Sequence, residues 1–284
     1  LVAAEAGKPS LEYKMPLSQM DDDIWCLDKP DLSALHRVLA DRYGTIGSHA
    51  DISITVGLQA LWNKLYQLKP VSETGRTIKA SNGLGEEIAL ERAAVRPLCR
   101  NRGFYPFRKN NTDAWIIFPY DIVDGEAREI VWTDFVERFP KAARYLEEHK
   151  KILAKEVEIN PEKHRWHLYL YPKNLVSQTQ QKVLFPSTIE DVIANLDAEG
   201  DVYQDNVRIQ GLSSCNKSLN LHAVTAVFNS SVFNALAKVK AGLSDNSWYQ
   251  FNRQYVDRVP LPYRRLCDAT IAQPLADLGD RITA

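Results

Sequence analysis

"QKVLFPSTIEDVIANLDAEGDVYQDN", residues 181–206, is the stretch on which the interpretation of this chain depends. A short apolar run stops at Pro186, a second apolar segment follows, and an Asp-x-x-Gly turn precedes a possible strand at 202–203. This pattern predicts short strands joined by turns. Six carboxylates follow Lys182 with no further cation: Glu190, Asp191, Asp197, Glu199, Asp201 and Asp205. The stretch is therefore either a metal or acid–base site, or a scaffold for a function located elsewhere.

The spacing of these carboxylates argues against a metal site. An EF-hand loop needs alternating oxygen ligands, a glycine at its sixth position and a closing glutamate. In "DAEGDVYQDN" Gly200 comes too early and the closing glutamate is missing. We therefore expect a solvated turn between strands and no bound metal.

The composition sets broad limits. The chain has 284 residues, 45% of them apolar, which suits one large domain or two small ones. With 35 basic and 36 acidic side chains, its net charge does not indicate a nucleic-acid partner. The four cysteines lie far apart without a CxxC motif, so we expect reduced thiols and a cytoplasmic location. No apolar run approaches the roughly 20 residues that span a bilayer. The start lacks a methionine and a signal peptide, so we expect the chain to begin inside a longer protein.

Charge is distributed unevenly along the chain. Six cations and no acid lie between Glu91 and Asp113, and four cations and no acid lie between Asp205 and Asp245. This distribution is either chance segregation on a solvated surface or the sign of one basic face.

The hydrophobic periodicity predicts a mixture of helices and strands without a regular βαβ repeat. We expect helices over 31–43, 86–98, 139–159 and 220–242 and from Tyr263 onward, and strands on both sides of Gly57 and over 113–122, 128–135, 165–171, 182–187, 201–205 and 207–212, with a polar hairpin at 71–85. This order predicts an α+β fold with a mixed, mostly antiparallel sheet flanked by helices.

The motifs for common chemistries are missing or weak. "SNGLGEE" has no apolar strand before it, and two glutamates open the helix expected after it, so it is a poor phosphate cradle. There is no GxSxG motif. His164 and His167 would point to opposite faces of a strand. His222 lies among alanine and valine, which favours a core histidine over a catalytic base.

Two loops combine features that suit DNA. "CRNRGFYPFRKNN", residues 99–111, mixes four cations with three aromatic side chains, and Gly103 and Pro106 interrupt regular structure. "GLSSCNKSLN", residues 211–220, is a Ser/Asn/Lys loop that opens a helix. Such side chains bind phosphates, and arginine and asparagine also hydrogen-bond to base edges.

A series of landmarks in order along the chain resembles a known family. They are "ISITVGLQALWNKLYQL", "LERAAVRPLCRNRGF", "AWIIFPYDI", "FPKAARYLEEHKKIL", "KVLFPSTI" with "LDAEGDVY", "LHAVTAVFNSSVFNAL" and "YQFNRQYVDRVPLP". The order resembles the C-terminal target-recognition domain of the TaqI-like and Eco57I-like N6-adenine DNA methyltransferases of bacterial restriction–modification systems. It extends from about Trp25 to Pro262. The family's catalytic Asn-Pro-Pro-aromatic motif and its glycine-rich S-adenosylmethionine loop are absent from this sequence, so the chain resembles the recognition domain alone.

The resemblance implies an organisation and a set of roles. It implies a linker arm at 1–30, a target-recognition domain at 31–262 and a C-terminal helix at 263–284. The expected partners are double-stranded DNA and a separate catalytic domain that binds S-adenosylmethionine and flips an adenine out of the duplex. We assign phosphate contacts to Arg100, Arg102, Lys109, Lys182 and Lys217, and base contacts to Arg108, Asn110, Asn111, Ser214 and Asn216. The carboxylates of 186–205 would then be scaffold, in a turn away from DNA.

Two other classes of function stay open. A protein-interaction module of a phage-defence complex would show an exposed apolar patch instead of a basic groove. A complete small enzyme would show a cleft with convergent carboxylates and a histidine.

Overall fold

The structure is a computed structural model that describes residues 30–60, 62–100, 104–108, 112–155, 165–243 and 248–283. Its helices are Pro30–Tyr43 (α1), Asn63–Tyr66 (α2), Trp132–Arg138 (α3), Pro140–Glu148 (α4), Lys150–Lys155 (α5), Leu221–Phe228 (α6), Ser231–Lys240 (α7), Arg253–Val256 (α8), Tyr263–Leu266 (α9) and Ala269–Thr283 (α10). Its strands are Ile52–Val56 (β1), Gln67–Thr74 (β2), Thr77–Ser81 (β3), Glu87–Glu91 (β4), Val95–Cys99 (β5), Ala114–Ile117 (β6), Tyr120–Val123 (β7), Glu126–Glu129 (β8), Lys182–Pro186 (β9), Thr188–Ile189 (β10), Asn195–Asp197 (β11), Tyr203–Gln204 (β12), Ile209–Ser214 (β13), Gly242–Leu243 (β14) and Tyr249–Gln250 (β15).

The strands form two main sheets. One has the order β12-β5-β6-β2-β3-β4 and the other the order β1-β13-β9-β11. Nearly all pairs are antiparallel; β12 pairs with β5 in parallel. The expected α+β class, with mostly antiparallel sheets flanked by helices, is confirmed.

Each main sheet has its own hydrophobic core. The first core lies between the six-stranded sheet and helices α3 and α4, and aromatic side chains such as Phe118, Tyr120 and Tyr169 fill it with edge-on or tilted ring contacts. The second core lies where α6 and α7 cover the four-stranded sheet, with Phe185 and Phe228 in contact. The apolar run in β9 is entirely buried because this strand pairs on both sides and both of its faces are covered.

The two sheets are joined where residues 57–58, directly after β1, pair with the end of β12 and the residues that follow it. The amide of Gly57 donates to the carbonyl of Asn206 at 2.6 Å, and the amide of Leu58 donates to the carbonyl of Gln204 at 2.9 Å. A Cβ on Gly57 would lie 2.2 Å from the Gln204 carbonyl oxygen, so only glycine permits this close approach. A small apolar cluster containing Cys99, Leu184 and Val202 fills the junction.

Three helix predictions, at 86–98, 139–159 and 220–242, are wrong in detail. The segment 86–98 forms β4 and β5 instead of a helix, because β4 pairs with β3 and turns Ile88 and Leu90 inward, and because Pro97 is incompatible with a helix interior. The predicted helix 139–159 is divided into α4 and α5 at His149, and residues 156–159 lie outside the described residues. The predicted helix 220–242 is divided into α6 and α7 at Asn229 and Ser230. The Ser230 side chain caps α7 by accepting a hydrogen bond from the Phe233 amide.

Other predicted elements are confirmed in part. The segment 165–171 forms turns and a single bridge instead of a strand, although Trp166 and His167 are buried. The segment 128–135 ends strand β8 and then starts α3. Packing continues across the predicted boundary at 262, because α10 lies along α6 and buries Ala272 in the second core. The arm predicted at 1–30 lies outside the described residues, apart from Pro30. Among the described helices, not one has the length and apolar content needed to cross a bilayer.

Candidate nucleic-acid interface

We call residues 99–111 the basic–aromatic loop. The structure describes it at 99–100 and 104–108, and its backbone is anchored to β11. With its amide nitrogen facing the neighbouring carbonyls, Asn195 donates to the oxygens of Ala194 at 2.9 Å, Tyr105 at 2.9 Å and Arg108 at 3.2 Å. Asn195 is itself buried. A buried amide with several carbonyl partners holds the loop in one position, since losing these bonds would leave buried polar groups unpaired.

The anchored loop is strained at Phe107. This residue has φ of 57°, a left-handed conformation that costs about 1–3 kcal/mol in a non-glycine residue and is common at functional sites. The Phe107 ring lies against Gly279 of α10, where an added Cβ would be 3.7 Å from the ring. The guanidinium of Arg108 lies over the Tyr105 ring at 5.1 Å. The loop therefore holds Arg108 in an exposed, fixed position.

The base of the loop is closed by an ion pair. Arg100 binds Asp113 through two bonds, Nη2 to Oδ2 at 2.8 Å and Nε to Oδ1 at 3.2 Å. Both side chains remain about a third exposed. Arg100 was predicted to bind phosphate, whereas in this structure its guanidinium is paired with the Asp113 carboxylate. The predicted contacts Arg102, Lys109, Asn110 and Asn111 lie outside the described residues.

The prediction that Lys182 reaches a DNA phosphate is wrong. Its side chain is 1% exposed, and its Nζ is 2.5 Å from Asp197 Oδ2 and 2.7 Å from the Gln178 carbonyl oxygen. Burial lowers the pKa of Lys182 and raises that of Asp197, while the opposite charge of each partner opposes the shift. Lys182 is a structural residue because its amino group is enclosed by protein acceptors.

Asp197 organises the turn that follows β11. Its carboxylate accepts hydrogen bonds from the amides of Gly200 at 3.1 Å, Asp201 at 3.2 Å and Val202 at 3.2 Å. The scaffold role expected for the acids of 186–205 therefore fits Asp197. It does not fit Glu199 and Asp201, which this turn presents to a cleft beside the basic–aromatic loop.

This cleft has a volume of about 420 Å³ and lies between the loop, the 197–202 turn, α6 and α10. Apolar atoms of Phe107, Val202 and Ala226 line it, together with the polar side chains of Arg108, Glu199, Asp201, His222 and Asp280. His222 is half exposed, and its Nδ1 lies 3.1 Å from Asp280 Oδ1, so the prediction of a core histidine is wrong. The helix turns His222 to the surface instead of toward the second core.

The predicted base contacts Ser214 and Asn216 have internal roles. The side-chain nitrogen of Asn216 donates to Tyr263 Oη at 2.7 Å, and its side-chain oxygen accepts from the backbone amide of Ser218 at 3.0 Å. Ser214 Oγ accepts from the backbone amide of Asn216 at 3.1 Å. These bonds shape the turn before α6, so the assignment of base contacts to Ser214 and Asn216 does not fit the structure.

The same turn brings Lys217 to α9. Tyr263 Oη donates to Asp51 at 2.8 Å, the Tyr263 ring stacks on His49 at 4.4 Å, and the Asn220 amide donates to the Leu266 carbonyl at 3.1 Å. Lys217, Arg264 and Arg265 are all exposed on this part of the surface; we call these three residues the basic corner. Burial lowers the pKa of His49, and the charge of Arg264 contributes to the shift.

Sequence reasoning identified Lys217 and missed Arg264 and Arg265. The signal was present in "PLPYRR", where two arginines follow a Pro-x-Pro stop. The basic corner precedes the first turn of α6, and His222 in that turn lines the cleft. Arg108 lines the cleft together with His222, and the amide of Asn220, just before α6, donates to Leu266 of α9, so the loop and the basic corner both adjoin the start of α6.

Within the described residues, no group of three or more histidine, cysteine, aspartate or glutamate side chains is arranged to hold a metal ion. No protein-family model matches the chain, and no curated protein matches it.

Proposed function

We propose that this chain is the DNA sequence-recognition part of a bacterial adenine-N6 DNA methyltransferase in a restriction–modification or related phage-defence system. It binds double-stranded DNA in the cytoplasm and positions the target adenine for a separate catalytic domain that uses S-adenosylmethionine. The proposal starts from the resemblance in the order of sequence landmarks. The observation that carries it is the anchored loop with exposed Arg108, together with the basic corner, since both adjoin the start of α6.

The arrangement suits a division of labour between phosphate and base contacts. The basic corner presents three cations on flexible side chains, which suits sequence-independent contacts to phosphates. Arg108 lies on a loop that Asn195 holds rigidly, and an arginine fork in a fixed position suits bidentate contact with the acceptor edge of guanine. A rigid support is needed because base recognition depends on geometry.

The test is fluorescence anisotropy of the chain with a random duplex across a salt series. The triple variant Lys217→Ala, Arg264→Ala, Arg265→Ala should flatten the slope of log affinity against log salt by up to about 2.7, near 0.9 per phosphate contact. The matched control removes three exposed cations from other surfaces, Lys79→Ala, Arg144→Ala and Lys173→Ala, and should leave the slope unchanged.

A separate measurement addresses base contact. After selection of a preferred site from a pool, Arg108→Ala should relax the preference at one base pair by about 1–3 kcal/mol and leave non-specific affinity nearly unchanged. The proposal is overturned if the chain does not bind duplex DNA at low salt, or if the triple variant and its control lose equal affinity.

The two alternatives each have one supporting observation. The exposed apolar side chains Leu243, 69% exposed, and Trp248, 43% exposed, lie on β14 and beside β15, and they favour a protein partner. The cleft with His222, Asp280, Glu199 and Asp201 is the feature expected of a small enzyme. Among its lining residues in the described chain there is no serine or cysteine. The Thr225 hydroxyl donates to the Leu221 carbonyl, which leaves Thr112 and the carboxylates as the groups that could act as nucleophiles there.

A further inference from the structure

We propose that the cleft beside the basic–aromatic loop binds a single unstacked nucleotide whose base carries an exocyclic amino group, that is, cytosine, adenine or guanine. The inference rests on the proposed function in one respect, since it takes DNA as the source of the nucleotide. It adds a binding site for an extrahelical base to a surface that otherwise contacts the duplex.

The first support is the cleft's size and its apolar surface. A volume of about 420 Å³ falls within the range of small-ligand pockets, about 300–1,000 Å³. Phe107, Pro97, Val202 and Ala226 supply apolar surface, and Gly279 leaves the space beside the Phe107 ring free of a side chain. A planar base suits such a surface, because every base has a face that packs on aromatic and apolar groups.

The second support is a cation at the cleft without an acidic partner. Arg108 is exposed and forms no ion pair with any residue that the structure describes; its described contact is the Tyr105 ring. Arg100, in contrast, is already paired with Asp113. Arginine binds phosphate oxygens through paired N–H donors, so in DNA with an unstacked nucleotide Arg108 binds the phosphate of that nucleotide, whereas in fully paired DNA it contacts a base edge.

The third support is the pair of carboxylates on the 197–202 turn. Glu199 and Asp201 are exposed, and their carboxylates form no hydrogen bond or ion pair with another described residue. The turn that carries them is fixed by the three amides bound to Asp197, which itself is held by Lys182. Carboxylates accept hydrogen bonds from the exocyclic amino groups of cytosine, adenine and guanine, whereas thymine has no amino group and offers only one ring N–H.

These groups together select one ligand class. A phosphate alone would be repelled by Glu199, Asp201 and Asp280, and a simple amine would leave Arg108 and the apolar surface without a partner. A nucleotide with an amino-bearing base satisfies both kinds of group and places its base face on the apolar surface. The base must leave the stack to reach the cleft, which is easiest at an unpaired position.

The experiment measures anisotropy with a set of duplexes that differ at one bulged nucleotide. The bulge is cytosine, thymine, adenine or unsubstituted purine, and the fully paired duplex serves as reference. We expect about tenfold tighter binding for cytosine over thymine and for adenine over purine, in line with one good hydrogen-bonded contact.

The variant Glu199→Ala, Asp201→Ala should remove both preferences without weakening the binding of paired duplex. The control Glu87→Ala, Glu137→Ala removes two exposed carboxylates elsewhere and should keep the preferences. Removing two carboxylates changes the affinity for all of these DNAs in the same direction. The ratio of affinities for two bulged duplexes is free of that common effect. The preference of the unmodified chain is itself a test, independent of how the variant folds.

The outcomes separate this inference from the proposed function. Equal binding of all bulges with good binding of paired duplex overturns the cleft assignment alone. A cytosine preference without measurable binding of paired duplex supports the cleft and overturns the duplex-recognition proposal. Absence of binding to every DNA overturns both.

Discussion

Lys182 and Asp197 are the charged pair that is most completely enclosed by protein among the described ion pairs, with side chains 1% and 2% exposed. Removing a charge from water costs several kcal/mol, and here the cost is offset by the ion pair and by bonds to backbone groups. Lys182 Nζ reaches carbonyl oxygens of Gln178 and Gln180, and Asp197 receives three backbone amides. The pair therefore joins the start of β9 to the turn beside the cleft.

At this scale we predict a large effect of Lys182→Met. The substitution removes the cation and leaves the Asp197 carboxylate buried without its counter-charge, so the free energy of unfolding should fall by about 3–5 kcal/mol. Urea unfolding followed by circular dichroism measures the change. Lys217→Met, at an exposed lysine, should change stability by less than about 0.5 kcal/mol. Similar stability of the two variants would contradict the structural role given to Lys182.

At the scale of elements, neighbouring segments decide between helix and strand. The segment 86–98 has enough apolar residues at helical spacing to predict a helix, yet β3 pairs with β4 over five residues and β6 pairs with β5 over four. The neighbouring strands hydrogen-bond with the backbone of this segment, and Leu90 and Leu98 are buried in the sheet. Strand pairing therefore overrides the local preference for a helix. The break between α6 and α7 has a similar cause, because Asn229 exchanges two hydrogen bonds with the backbone of Ala194.

We predict opposite effects for the same substitution at two glycines. Gly57→Ala would place a methyl group 2.2 Å from the Gln204 carbonyl oxygen, and forcing the two strands apart should cost about 1–3 kcal/mol or more. Gly279→Ala finds its nearest neighbour at 3.5 Å and lies inside α10, where alanine is favoured over glycine by about 0.5–1 kcal/mol. Thermal unfolding of both variants measures the contrast. A stabilised Gly57→Ala variant would show that the junction is looser than the structure indicates.

At the scale of the whole molecule, the two cores share a backbone junction. Segment 57–58 pairs with residues 204–206, and β12 in turn joins the six-stranded sheet through β5. Gln204 is fully buried at this point, and its side chain reaches the backbone of β1 and of Ile209. Separating the cores would expose these buried polar groups and the apolar cluster around Cys99, whose pKa burial raises to about 12.

We therefore predict that the two cores unfold together. Trp115, Trp132 and Trp166 belong to the first core, whereas α6, α7 and α10 belong to the second. Tryptophan fluorescence and helical circular dichroism should give coincident urea transitions, as expected for one cooperative unit. Two separated transitions would show that the junction does not couple the cores.

Several features follow from the local sequence. The α+β class, the buried strand at 182–186, helix α1 and the start of α4 at Pro140 agree with the sequence patterns, because periodicity and proline placement act over a few residues. The composition of the 99–111 loop, with its cations and aromatic residues, is likewise visible in the sequence.

The tertiary structure alone decided which polar side chains are free to bind a partner. Lys182 and Lys217 are both lysines beside predicted strands or loops, yet one is enclosed by Asp197 and backbone carbonyls and the other is exposed. The side chains of Ser214 and Asn216 hydrogen-bond within the protein. Glu199 and His222, in contrast, line the cleft beside the basic–aromatic loop, and Arg264 is exposed in the basic corner. These differences depend on contacts between segments far apart in the chain, and no local pattern encodes which distant group arrives at which side chain.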